Sequence, residues 1–445
     1  MTAPHTAAPG TDERVDTTGA GTTAVSTKLR QHLRNPLNLN VYALSLNTVI
    51  SSLLGIVYWL LAAHLYTAKE VGIGAAMVST MTFLSNLSQL NLNGALARFL
   101  PAAGPQGCRL VGYAYGMSCL AALGISTVFL LAAPVVSERL EFLARTSGVA
   151  VLFALCVAMW SVFTLQDSVL TALRGAVWVP VENSAFGLAK VALLVPLAGL
   201  LPGLGIFVSW NVAVLAALLP VNVLVFRRLL PRLRAGRPAA ALPGRRVLAR
   251  FVALDYIGFL FMQAGTNALP VIVTARLGAE ANGVFYVSWL LGGSLELIAY
   301  HFGTSLTVES AADERRLAVC ARQILRRGFL IFAPTAVLLC VVAQPLLTLF
   351  GTQYAHASSA VLRLVAIAVL PKLVVIVFIA VCRVLRQVGR IILTQATMSI
   401  VVVSLSVITM GSMGISGVGV AYLAGQLIVA AAVTPSLFRL LRATP

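Results

Sequence analysis

Charge is scarce in this chain, and acid is scarcest. Only 10% of the residues are charged, with 14 Asp plus Glu against 32 Lys plus Arg, a formal net charge of +18. Together with 59% hydrophobic residues and a mean hydropathy of +0.92, this excludes a water-soluble globule. Cysteine is sparse too. Cys108, Cys119, Cys156, Cys320, Cys340 and Cys382 lie in or at the ends of apolar runs, with no CxxC and no His partner. They read as small apolar packing residues, not as a disulfide framework or a metal site. There is no phosphate-cradling glycine loop and no nucleophile–base constellation, which removes an ATP-driven mechanism and most enzyme classes. The first apolar run begins only at Val41 and is too long for the core of a cleavable signal peptide.

Runs of about 20 apolar residues are what a bilayer helix needs. Twelve are present, at 41–65, 71–99, 110–134, 148–173, 177–201, 205–229, 247–276, 281–308, 328–350, 360–383, 389–411 and 416–438. They leave no room for a water-soluble domain. The excess positive charge suggests nucleic acid until its distribution is followed. Lys28, Arg30 and Arg34 precede the first span, Arg227 to Arg250 crowd the sixth loop, and Arg315 to Arg327 fill the eighth. Arg98 and Arg109 flank the second loop, Arg174 marks the fourth, and Arg383, Arg386 and Arg390 follow in the tenth, with Arg439 and Arg442 at the tail, whereas the other loops hold only Lys69, Arg139, Arg145 and Arg276. This alternation is the positive-inside pattern, and it puts both termini in the cytoplasm. The expected architecture is an all-α polytopic membrane protein of twelve transmembrane helices. Its parts are a disordered tail at 1–40, a six-span lobe at 41–230 and a basic linker at 231–246, then a second six-span lobe at 247–440 and a short tail at 441–445.

The two halves resemble each other. Ala63-His64-Leu65-Tyr66 followed by Gly72 is matched by Ala275-Arg276-Leu277-Gly278 followed by Gly283. Ala172-Leu173-Arg174 with Asn183 nine residues on is matched by Val384-Leu385-Arg386 with Gln395 nine residues on. Their shared order indicates a parallel duplication, the plan of transporters with a central site between repeats.

Inside the second span, Ser79, Thr82, Asn86, Gln89 and Asn93 recur at spacings of 3, 4, 3 and 4, the period of one helix face. Unpaired amides are too costly to present to lipid, so this stripe faces other helices or a water-filled cavity, and cavity lining is the preferred reading. Asn47, Gln263 and Asn267 add amides to spans one and seven. Ionisable residues within spans are costly and functional by default. Lys190, Glu296 and Lys372 fall near mid-membrane, Asp167, Glu182, Asp255 and His301 nearer the cytoplasm, and Arg363 nearer the outside. Under the duplication, Glu296 takes the place in span eight that Asn86 takes in span two, so the two are expected to face one another. Structural readings stand beside these. Lys190 is either a substrate ligand or half of an interhelical ion pair, and Asp167, Arg174 and Glu182 read better as a gate at the cytoplasmic end than as substrate contacts.

The run Tyr42-Ala43-Leu44-Ser45-Leu46-Asn47-Thr48, then Ala62 to Tyr66 and Glu70-Val71-Gly72, then Gln89 to Asn93 and Ala97-Arg98-Phe99-Leu100-Pro101, resembles the opening of polysaccharide-biosynthesis flippases. These belong to the multidrug/oligosaccharidyl-lipid/polysaccharide (MOP) exporter superfamily. The resemblance implies two six-helix lobes related by a pseudo-two-fold, as in MATE-type exporters, with a central cavity lined by spans one, two, seven and eight. It implies flipping of a lipid-linked oligosaccharide or polysaccharide precursor across the bacterial cytoplasmic membrane. Membrane lipids surround such a protein, and a glycan polymerase or glycosyltransferases of the same pathway are its expected partners. In such a cavity, Lys190, Lys372, Arg98 and Arg363 would hold the anionic head. Thr82, Asn86, Gln89, Asn93, Gln263 and Asn267 would meet the sugars. No cofactor is expected, but Glu296 or Asp255 would carry a coupling H+ or Na+. A cation-coupled multidrug exporter of the same superfamily is the alternative. A membrane glycan polymerase is set aside, because the longest outer loop, near 137–147, is too short for a catalytic segment.

Overall fold

The computed structural model describes residues 36–136, 147–236, 245–312 and 317–443. Most of the expected N-terminal tail, the loop after the third span, the middle of the basic linker, and Arg315 and Arg316 lie outside them. The described residues form helices and no strand. The α-helices are α1 Pro36–Leu65, α2 Ala68–Ser88, α3 Leu92–Phe99, α4 Gly107–Val136, α5 Ser147–Ala172, α6 Trp178–Leu200, α7 Gly205–Leu224 and α8 Leu230–Gly236. After the linker come α9 Arg245–Thr266, α10 Leu269–Leu277, α11 Ala279–Ala312, α12 Leu317–Thr348, α13 Thr352–Val384, α14 Val388–Met413 and α15 Ile415–Ala443. Among the described residues eleven helices are long and apolar enough to cross a membrane, and α9 and α10, bent by 44° at the break between them, are long enough for a twelfth when taken together. The chain is a multi-pass membrane protein. Its outer surface suits lipid: Leu120, Leu131, Val341 and Ile408 are 70–74% exposed.

Two of the expected continuous spans are broken. The second does not run as one helix from 71 to 99, because α2 ends at Ser88 and the chain turns through left-handed residues, Leu90 at φ 49° and Asn91 at φ 54°. Asparagine tolerates that region better than most residues. The seventh breaks between Thr266 and Leu269, where Pro270 starts α10 and could not have continued α9 without losing a hydrogen bond.

The helices sort into two six-span lobes related by a pseudo-two-fold. In the first lobe α1 packs on α6, α6 on α7 and α4 on α5; in the second α13 is central, flanked by α11, α12 and α15, with α14 against α15 and α9. Matched sequence positions take matched conformations. Arg174 and Arg386 are both left-handed, at φ 59° and 56°. Each sits in the same helix-ending motif, with Gly175 N–H donating to Leu170 O at 2.7 Å and Gln387 N–H to Cys382 O at 2.8 Å.

The lobes meet chiefly where α2 packs on α11. Gly72 and Gly283, matched by the duplication, form this seam at the end away from the arginine-rich loops. A Cβ on Gly72 would overlap the carbonyl of Ala279, and one on Gly283 would overlap the backbone of Gly72. Tyr286 packs at a tilt against Trp59 close by, with ring centroids 4.8 Å apart and planes at 59°.

Candidate functional site

A cavity of about 360 Å³ lies within the second lobe, between α9, α11, α13, α14 and α15. Helical period builds its walls. On α11 the lining residues Trp289, Gly293, Glu296, Tyr300 and Gly303 follow at steps of 4, 3, 4 and 3, one face of the helix. Gly303 has no side chain because Ile376 of α13 occupies that space. On α13, Lys372, Ile376, Ile379 and Arg383 form the facing wall. The broken seventh span supplies Gln263 and Asn267, joined by Asn267 Nδ2 donating to Gln263 Oε1 at 3.2 Å. Gln395 of α14 and Gln426 of α15 complete the amides.

The centre of the site is a three-membered cluster. Lys372 Nζ donates to Glu296 Oε2 in an ion pair, and also to the Tyr422 hydroxyl at 2.7 Å. Tyr422 in turn donates to Glu296 Oε1 at 2.5 Å. Three helices, α11, α13 and α15, are tied by one partly buried charge pair whose remaining lone pair is satisfied by a phenol. Removing either partner leaves the other uncompensated, at a cost of up to about 3–5 kcal/mol, the figure for a fully buried pair. Glu296 therefore turns into its own lobe instead of facing Asn86 across the molecule, and it is not a lone carboxylate. Arg383 stands on the same face of α13 as Lys372, eleven residues on, about 16 Å along the helix. It is exposed, at the arginine-rich end of the cavity.

The first-lobe residues are placed differently. The cavity takes in Gln263, Asn267, Glu296 and Lys372 and none of Asn47, Thr82, Asn86, Gln89, Asn93, Arg98, Lys190 or Arg363. The polar stripe of span two is spent on protein. Ser79 and Thr82 donate to their own helix, at Ala75 O and Val78 O. Asn93 Nδ2 donates to Gln89 Oε1 at 2.7 Å and Gln89 Nε2 to Asn86 Oδ1 at 3.1 Å. Ser168 of α5 donates to Asn93 Oδ1 at 3.0 Å. This amide ladder bridges the break between α2 and α3. Of the stripe, Ser79 and Gln89 are buried, while Thr82, Asn86 and Asn93 stay partly exposed beside these bonds.

Lys190 is 5% exposed and has no ion pair among the described residues. Its Nζ lies 3.9 Å from the ring centroid of Trp210, 4.7 Å from that of Phe186 and 4.9 Å from that of Tyr58. Stacked cation–π contacts, about 2 kcal/mol when desolvated, replace the counter-ion. Arg363 is exposed and donates from Nε to Cys340 O at 3.0 Å, pinning α13 to α12. Arg98 is exposed and stands 5.5 Å from the Phe99 ring centroid. Asn47 accepts from Ser51 at 3.4 Å. The expected gate trio does not assemble as an ion-pair network. Asp167 accepts from Asn183 at 3.3 Å on both oxygens, Glu182 is 3% exposed with both oxygens unpartnered, and Arg174 is exposed in its turn. The side chain of Asp255 lies outside the described residues.

Sequence reasoning missed Tyr422, Arg383 and Gln426. Tyr422 and Gln426 stand four apart in an otherwise apolar span, a polar pair on one face that could have flagged α15 as cavity-facing.

No family model matches this sequence, and no curated protein matches it. Solved structures match the fold over almost the whole chain. An inward-facing multidrug resistance MATE family transporter of the MOP superfamily aligns at TM-score 0.65 and 14% identity, covering 91% of this chain and 99% of that one. Lipid II flippase MurJ, in an inward closed conformation, aligns at TM-score 0.67 and 11% identity, covering 88% and 87%. An outward-facing MATE family transporter aligns at TM-score 0.57 and 14% identity, covering 93% and 98%. The chain has the fold of a MOP-superfamily transporter.

Proposed function

We propose that this protein flips a lipid-linked oligosaccharide or polysaccharide precursor across the bacterial cytoplasmic membrane by alternating access. The observation that carries this reading is the charge balance of the cavity. Two cations, Lys372 and Arg383, line it against one carboxylate, Glu296, with an amide set of Gln263, Asn267, Gln395 and Gln426 around them. A lipid-linked glycan offers a matching set of groups. Its phosphate or pyrophosphate suits the cations, and its hydroxyls exchange water for amides. The prenyl tail stays in the bilayer beside the exposed apolar wall. Arg383 would receive the head near the cytoplasmic end, and Lys372 would hold it about three helical turns deeper. The α2–α11 seam is then the outer gate, closed in this arrangement. Pathway polymerases or glycosyltransferases would act beside it.

The test is a deletion strain of the source bacterium. Prenyl-linked glycan should accumulate on the cytoplasmic leaflet, and wild type should clear it where Lys372→Ala and Arg383→Ala do not. A second reading, a cation-coupled multidrug exporter, is favoured by Glu296 among Trp289, Tyr300 and Phe261, a set suited to aromatic cations. Loss of resistance to cationic drugs without glycan accumulation would select it.

A further inference from the structure

The first lobe has a cavity of its own, of about 320 Å³, at the arginine-rich end. The turn after α5 forms one wall, the segment after α7 forms another, and Pro101 completes the lining. Two departures from regular helix build these walls. Arg174 holds a left-handed φ of 59° in the turn that Gly175 N–H closes on Leu170 O. After α7 the chain loosens into one π-helical turn, Val225–Leu229, which shifts the register of the residues that follow. Two glycines let the walls come together. A Cβ on Gly175 would stand 3.3 Å from the Leu229 side chain, and one on Gly107 would stand 3.1 Å from that of Leu233. The result is an amphipathic pocket, with Arg174 and Arg232 beside Leu173, Leu229 and Leu233 and no carboxylate in the lining. Both arginines are exposed, and neither guanidinium makes a hydrogen bond or ion pair among the described residues. The 20 residues of α7 span about 30 Å, the thickness of the hydrocarbon layer, so the residues just past its end lie at headgroup depth. The positive-inside pattern assigns this end to the cytoplasm.

We propose that this cavity binds the phosphate of an anionic phospholipid from the cytoplasmic leaflet, held between Arg174 and Arg232. Guanidinium groups meet phosphate oxygens through paired N–H donors, and basic pockets between spanning helices suit such headgroups. The leucines take the glycerol and the first acyl carbons. A free phosphate has no such part and gains nothing from an apolar floor, which is what favours the lipid. Once bound, the head ties the turn after α5 to α8. The pocket lies in the other lobe from the Lys372 cavity, and the proposal does not depend on what that cavity carries.

The experiment is native mass spectrometry of the full chain in detergent, titrated with phosphatidylglycerol or phosphatidylcholine, with inorganic phosphate as a competitor. Wild type should retain phosphatidylglycerol in preference to phosphatidylcholine, and inorganic phosphate in large excess should leave it bound. Arg174→Asn keeps a residue that tolerates the left-handed turn. Arg232→Gln changes the other wall and carries the test should the first variant fail to fold. Each should weaken phosphatidylglycerol binding about fivefold, the worth of one arginine at the membrane surface. Arg228→Gln removes the same charge from the π-helical turn, outside the cavity lining, and should bind as wild type does. Equal losses in all three variants would mean diffuse attraction to a basic surface and would overturn the site. Unchanged binding in both Arg174→Asn and Arg232→Gln, or equal retention of phosphatidylcholine, would overturn it too. Displacement by inorganic phosphate at a concentration comparable to the lipid would overturn the lipid and leave phosphate alone as the ligand.

Discussion

Placing a methyl group on Gly72 tests whether the two lobes separate at the α2–α11 seam. In the present arrangement that methyl would run into the carbonyl of Ala279 and the neighbouring backbone nitrogen of Glu280. Both are main chain, so no rotamer change relieves the clash and the helices must part. Overpacking of this kind costs about 1–3 kcal/mol. The cost falls only on the state in which the seam is closed, so it becomes a shift of about 5- to 150-fold toward the open state. Gly55→Ala is the control, since a Cβ there meets nothing within 4 Å. Val287 is the reporter: it is buried, on the same face of α11 one turn from Gly283. In a background with the six native cysteines replaced, a Val287→Cys thiol should react with an impermeant maleimide several-fold faster when Gly72→Ala is added, and Gly283→Ala should act in the same direction. An unchanged labelling rate in folded, monodisperse protein would refute a gate at this seam.

Three further outcomes are expected from the contacts. Lys190→Met removes a buried ammonium without a counter-ion and keeps the volume between Tyr58, Phe186 and Trp210, so thermal unfolding should occur at an unchanged or higher temperature. Lys372→Met alone strands Glu296 and should lower stability by up to about 3–5 kcal/mol, whereas Lys372→Met with Glu296→Leu should recover most of it, read by thermal unfolding in detergent. Asn93→Ala leaves Gln89 Oε1 and the Ser168 hydroxyl without partners and should cost about 1–3 kcal/mol in the same assay.

Much of the fold was legible because it follows from length and composition. A bilayer demands long apolar helices, and eleven of the twelve runs contain a helix long enough to cross one, while the seventh does so only as a bent pair. The duplication was legible at Arg174 and Arg386, whose shared left-handed turns were foreshadowed by the repeated Leu-Arg, and at Gly72 and Gly283, which meet at the seam. The break at Leu90–Asn91 was hidden, because hydropathy is indifferent to one turn of backbone and a polar period of 3.5 continues straight through it. The site was legible in residue type more than in partnership. Glu296 and Lys372 stood out as charges in lipid-depth helices, but they are 76 positions apart and nothing local says they pair. The polar stripe was equally conspicuous, yet its amides had each other and Ser168 to bind. Lys190 drew attention as a mid-membrane cation, a substrate ligand or half of an ion pair, and what surrounds it is aromatic rings brought together from α1, α6 and α7.

The most direct test of the central claim is leaflet exchange in a purified system. The full chain would be reconstituted into liposomes carrying a prenyl-pyrophosphate-linked oligosaccharide from the source organism, and the fraction open to an impermeant glycosidase tracked with time. The account predicts that wild type exposes the inner-leaflet pool while Lys372→Gln leaves it protected. Protection of that pool by wild type, in liposomes where the same protein moves a cationic dye down a proton gradient, would contradict it.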